Sequence, residues 1–200
     1  MSLDANRKIA QESVLKVPYT DQHIVSILSD KLQTFFKAVP VHRPIVFVCI
    51  GTDRSTGDSL GPLVGSFLQK NRLLKARTFG TIDHPVHAVN LADTLRQIAQ
   101  QFKDPFIVGV DACLGQAVNV GCIQIGPGPV KPGAGVNKDL PPVGDIHVKG
   151  IVNVGGFMEY FVLQNTRLSL VLKMAEIIAE SFYLALLYSN RVNPMTKTGE

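Results

Sequence analysis

Charge is scarce in this chain. Asp, Glu, Lys and Arg make up 18% of its 200 residues, against 46% hydrophobic residues. That balance excludes an intrinsically disordered chain, which shows the reverse. Long apolar runs are also missing. The stretch Ile45–Ile50 is about as long as any, whereas a membrane-crossing helix needs about 20 apolar residues. The opening Met1–Arg7 has no basic stretch followed by an apolar one, so no secretory signal is expected. Cysteine is sparse: Cys49, Cys113 and Cys122 are an odd number at no metal-ligand spacing. They read as buried reduced thiols, and a cytoplasmic location is the expectation. The Lys and Arg residues form no run and no stripe interleaved with aromatics. The net charge of +4 therefore reads as an ordinary solvated surface, and neither a nucleic acid nor a membrane is expected as a partner. No internal repeat is visible.

What is present alternates. Residues 1–19 are polar and read as an N-terminal arm; 20–190 read as a single α/β domain; 191–200 read as a polar C-terminal tail. Within the domain, Ile24, Ile27, Leu28, Leu32, Phe35 and Phe36 recur at helical spacing and predict a helix over 21–38. Further helices are expected over 60–71, 88–102 and roughly 166–189. The runs 45–50, 77–82, 106–110, 118–125 and 146–154 read as strands, two of them continuous enough to be covered on both faces. Strands alternating with helices predict a three-layer α/β fold: a mostly parallel, twisted sheet flanked by helices on both faces. Ligands and catalysis then belong outside the C-terminal ends of the strands, at the switch point.

Two acidic residues follow the two most apolar strands. Asp58 lies in Gly51-Thr-Asp-Arg-Ser-Thr-Gly-Asp-Ser-Leu-Gly-Pro62, and Asp111 ends Val108-Gly-Val-Asp111. If those strands are neighbours, both carboxylates project over one edge of the sheet. Two close carboxylates share a proton and can work as acid and base on water. The competing readings are structural: a helix N-cap for Asp58 and a turn cap for Asp111. Asp53 competes with Asp58 from the same loop, although its neighbour Arg54 makes an ion pair the simpler explanation. The glycines at 51, 57, 61 and 65 suggest a phosphate cradle only weakly, because neither a Gly-x-Gly-x-x-Gly spacing nor a Gly-Lys-Ser/Thr ending is present. Cys113 lacks an evident partner and reads as a structural thiol. His84 and His87 are interrupted by Pro85, a poor ligand spacing. His147 sits in an expected strand, where a satisfied polar residue is favoured over a ligand.

Residues 126–144 hold ten Gly or Pro in nineteen positions and read as neither helix nor strand. A segment of this kind is a candidate flap, and Gly133 and Gly135 allow close backbone approach to an extended ligand. Gly51, Asp53, Gly133, Gly135 and Asn137 are the candidate substrate contacts.

The Gly51–Pro62 loop, Val108-Gly-Val-Asp-Ala-Cys113, Pro132-Gly-Ala-Gly-Val-Asn137 and Val143–Asn153 closely resemble the YyaC family of sporulation proteins, over about residues 45–190. More distantly, the motifs and their order are similar to the spore germination protease, which shares a phosphorylase/hydrolase-like α/β fold with the hydrogenase maturation endopeptidases. The resemblance implies an atypical aspartic endopeptidase acting in the forespore or spore core. Asp58 and Asp111 match its two essential aspartates, and a small spore protein would be the substrate. No cofactor is expected, and assembly into a homo-oligomer is. In the maturation endopeptidases, acids at these two places and a histidine bind nickel of the hydrogenase precursor. His147 would be the corresponding candidate here, and Asp145, two residues before it, would share its face of the strand. The germination-protease resemblance argues for a metal-free pair. The alternatives are a catalytically silent binding or regulatory protein on the same fold, or a metal-binding maturation-type endopeptidase.

Overall fold

The computed structural model describes Ile9 and residues 12–70, 77–133 and 140–191. The elements are β1 (Leu15–Pro18), α1 (Ile24–Ala38), β2 (Ile45–Cys49), α2 (Leu60–Lys70), β3 (Arg77–Phe79), α3 (Leu91–Gln101), β4 (Phe106–Gly115), β5 (Cys122–Pro127), β6 (Ile146–Val154), α4 (Glu159–Gln164) and α5 (Leu168–Tyr188). Six strands form one open sheet in the order β1-β5-β6-β4-β2-β3. β3, β2, β4 and β6 are mutually parallel, and β5 is antiparallel to both β6 and β1. The α/β fold with helices on both faces is thus as the alternation of patterns predicts.

Strand alternation divides the core in two. Phe47, Cys49, Val108, Val110, Ile146 and Val148 face a large cluster with Leu28, Leu32 and Phe35 of α1, Val64 and Leu68 of α2, and Met174 and Phe182 of α5. Val46, Val48 and Ile50 face the opposite side and meet Leu91 and Ile98 of α3, together with Val130 and Val143. β2 and the first half of β4 are covered on both faces, which is why they read as unbroken apolar runs.

Several boundaries differ from the sequence reading. Leu15–Pro18, inside the segment read as an arm, pairs with β5 as an edge strand, where Pro18 is tolerated. Residues 117–119 form a 3-10 turn, so the strand expected from 118 starts at Cys122. Of the segment read as neither helix nor strand, 126–127 continue β5, and Val130 and Val143 exchange two backbone hydrogen bonds of 2.9 Å. Both of these valines are buried, so the base of the expected flap is a fixed cover on the sheet. Helix α4 is an element the apolar spacing did not signal; none of its residues is fully buried.

The connections place a crevice. From β2 the chain passes through α2 to β3 at the sheet edge. It then returns through α3, on the other face, to β4 on the far side of β2. The chain therefore reverses direction across the sheet between β2 and β4, where open α/β sheets bind ligands.

Candidate active site

β4 outruns its neighbour. Pairing of β2 with β4 ends at Cys49 and Val110, with one further bond from Ile50 N–H to the Val110 carbonyl at 2.7 Å. Asp111 is the first residue beyond. It lies inside β4, not at its end as the sequence reading had it, because β4 continues beside β6, with Asp111 opposite Lys149. Its partner strand on one side has ended, so its side chain faces a cleft of about 450 Å³.

The opposite wall is the loop after β2. Gly51 has φ of +143°, and a Cβ there would lie 1.9 Å from the Asp58 carbonyl oxygen. Thr52 N–H donates to that oxygen at 3.1 Å. The loop is thus folded tightly enough to carry Asp58 back over the strand end, in the 3-10 turn Gly57–Ser59 that leads into α2. The glycines here serve close backbone packing: a Cβ on Gly61 would come within 2.2 Å of the Ile50 carbonyl oxygen.

Asp58 and Asp111 both line this cleft. Asp111 is only 8% exposed. Burial pushes its carboxyl well above the ordinary carboxylate value, and the negative charge of Asp58 pushes the same way; the Ala112 amide and the Lys149 ammonium pull back in part. Burial also raises Asp58, against the Thr52 amide and the positive charge of His87. The amide that stabilises its charged form is therefore Thr52's, outside α2, which is not the N-cap arrangement. The environments are unequal: Asp111 is the deeper of the two and holds its proton the more strongly, so Asp58 is the first of the pair to ionise.

The other site candidates separate. Gly51 and Gly133 line the cleft. Asp53 is exposed and outside it, its carboxylate 3.4 Å from Thr52 Oγ1, while Arg54 lines the cleft wall. Gly135 and Asn137 lie outside the described residues. His147 does not line the cleft. Its Nδ1 is 3.1 Å from the Gly128 carbonyl and its Nε2 is 3.4 Å from Gln124 Nε2. Burial lowers its pKa, so the neutral ring donates from Nδ1 and accepts at Nε2, as a satisfied core histidine does. Asp145 binds Arg43 and the Ile107 amide instead of influencing that ring. Among the described residues no group of three His, Cys, Asp or Glu side chains is placed to hold a metal ion. Cys113 reaches the cleft, but burial and Asp111 push its thiol up to about 11, which makes it a poor nucleophile at neutral pH.

Sequence reasoning set His87 aside as a poor ligand and did not single out Lys149 or Tyr160, yet all three are in the cleft wall. Lys149 could have been found, since it lies two residues after His147 on the same strand face. His87 arrives through the parallel bridge of Val86 with Ile50, a pairing that leaves no local pattern.

The molecule is thus an open-sheet α/β protein with an acidic pair in a cleft at its switch point. Its sequence matches the family described as "Protein of unknown function (DUF1256)" over residues 16–181, and the chain belongs to that family. It is 56% identical over 180 residues to "Uncharacterized protein YyaC" of Bacillus subtilis (strain 168), covering 88% of this chain and 85% of the relative. Among the described residues no helix is long and apolar enough to cross a membrane.

Proposed function

We propose that this protein hydrolyses peptide bonds with Asp58 as base and Asp111 as acid. The observation that carries the reading is the unequal pair in one cleft: Asp111, buried and raised well above the ordinary carboxylate value, and Asp58, less buried and also raised. Asp58 takes a proton from water as its oxygen attacks the carbonyl carbon, and Asp111 gives its proton to the carbonyl oxygen. In the collapse of the tetrahedral diol, Asp111 regains that proton, the C–N bond breaks, and Asp58 passes its proton to the leaving amine. Both carboxyls return to their starting states.

The cleft suits a polypeptide. Leu140, Tyr160 and Leu163 offer apolar wall beside the charged groups. Just before and on α4, Phe157 is 90% exposed, and Tyr160 and Phe161 are more than half exposed. With the motif resemblance to the germination protease, this supports a small spore protein as substrate and the forespore or spore core as the place of action.

The test is digestion of candidate small spore proteins by wild type, Asp58→Asn and Asp111→Asn. Fragments are expected with the wild type, and loss of either carboxyl should slow cleavage by about 10²–10⁴-fold. Substrate that persists equally with all three proteins overturns the reading and favours a silent binding protein.

A further inference from the structure

His87 stands where two cavities meet. It lines the cleft with Asp58 and Asp111 on one side and, on the other, a polar hollow of about 460 Å³ beside β3 and α3. Its place is fixed by backbone. Val86 pairs with Ile50, and Gly51 N–H donates to the Val86 carbonyl at 2.8 Å. This seats residue 87 against the loop that carries Asp58. Its own N–H donates to Asn90 Oδ1 at 2.8 Å, and the carbonyl of His87 accepts from Leu91 N–H at 2.9 Å, so it also anchors the start of α3.

The ring is held as well. Its Nδ1 accepts from the Val89 N–H at 3.3 Å, so the neutral ring keeps its proton on Nε2, the nitrogen that this amide does not engage. Protonation leaves that N–H in place and adds a charge, at the expense of one long hydrogen bond. A donor on Nε2 is therefore present in both states.

We propose that His87 is a positioning residue for Asp58: its Nε2–H, and its charge when protonated, favour the ionised Asp58 carboxylate and so leave the proton on Asp111. This rests on the reading of Asp58 as base, and it explains why the pair works in one direction. The positive charge of His87 acts on Asp58, while Lys149 acts on Asp111. Arg54, Lys131 and Glu159 also face the cleft, and Asp83 and His84 face the hollow behind.

The experiment follows aspartate carboxyl carbons and histidine rings by NMR against pH, in the full chain without substrate. In the wild type, the Asp58 carbon should show a second, smaller inflection where the His87 ring titrates, and the neutral ring should carry its proton on Nε2. His87→Phe should move the Asp58 midpoint upward, and His87→Lys, which restores an N–H donor and a charge, should bring it back. An Asp58 curve blind to the His87 titration overturns the proposal, as does an equal midpoint in His87→Phe, or an upward shift that His87→Lys fails to reverse. The wild-type readout decides the matter even if a variant does not fold. No peptide enters these measurements, so a failed digestion and a failed titration are separate results.

Discussion

Asp111 costs the fold something at neutral pH. In the unfolded chain its carboxyl ionises near the ordinary value of 3.8, whereas burial and Asp58 raise it well above that in the folded protein. The folded state thus binds more protons than the unfolded state between those two values, and stability falls as pH rises through that window. Below the ordinary value the contribution is fully present. Asp111→Asn keeps the shape and removes the titration. The variant should therefore melt higher than wild type at neutral pH, with the gap closing as the pH drops towards the ordinary carboxylate value. For a chain of this size each kcal/mol relieved raises Tm by about 2–4 °C, so melting curves at a series of pH values read the effect directly. The neighbouring thiol gives an independent check on the cleft's chemistry. Cys113 is pushed up to about 11 by burial first and Asp111 second. Its alkylation at pH 8 should run about two orders of magnitude slower than that of a free thiol, which has a pKa of about 8.5. Cys113→Ser should retain any peptidase activity. Rapid alkylation of Cys113 at pH 8 would show that the cleft is more open or more positive than described.

At the scale of elements, two glycines let α2 press on the backbone beneath it: a Cβ on Gly61 would meet Ile50, and one on Gly65 would meet the Gly80 carbonyl oxygen. Alanine in place of a helix-interior glycine ordinarily stabilises by up to about 1 kcal/mol. Gly61→Ala should do the reverse, because its Cβ would meet the backbone of Ile50 at 2.2 Å. Overpacking of this kind costs about 1–3 kcal/mol, and denaturant unfolding should show it with the slope unchanged. The glycines of residues 51–65 are visible in the sequence, but the partners of Gly57, Gly61 and Gly65 are not: Leu163 and Thr166, Ile50, and Gly80 meet them only through tertiary packing. The same distinction separates what was legible from what was not. β2 and the first half of β4, Phe106–Val110, announce themselves because both faces are covered, so these runs are apolar throughout. α1 and α5 do so through long apolar periods. β1 is an edge strand with one fully buried residue, Val17, and four residues cannot show an alternation. α4 is six residues with no fully buried side chain. Asp58 and Asp111 were legible because each follows a conspicuous apolar run, whereas His87 depends on the Val86–Ile50 bridge, which spans 36 positions in the chain.

On the scale of the whole molecule, the sheet keeps its anchor and its cleft at opposite ends. Arg43, just before β2, is buried; its guanidinium donates to the carbonyls of Asp104 and Pro105 at 3.0 and 3.2 Å and pairs with Asp145 at 3.1 Å. It also lies over the Phe106 ring, 5.3 Å from the centroid. Asp145 in turn accepts from Ile107 N–H at 2.7 Å. One cation thereby ties the starts of β2, β4 and β6 together. From Phe106 to Asp111 is five residues of strand, roughly 17 Å at about 3.3 Å each. Arg43→Met removes the charge and takes a partner from the Asp104 and Pro105 carbonyls and the half-buried Asp145 carboxylate, which should cost about 1–3 kcal/mol. Asp145 keeps its backbone partner and some solvent, which holds the loss towards the lower end. At that distance the two ends should not couple. The Asp58 and Asp111 titrations should be the same in Arg43→Met as in wild type, and the double variant Arg43→Met/Asp111→Asn should equal the sum of the singles within about 0.5 kcal/mol. Urea unfolding of the four proteins at neutral pH measures this cycle. A coupling well beyond that margin would mean that strain passes along β4 from anchor to cleft, and that the acidic pair depends on how the strand is tied at its far end.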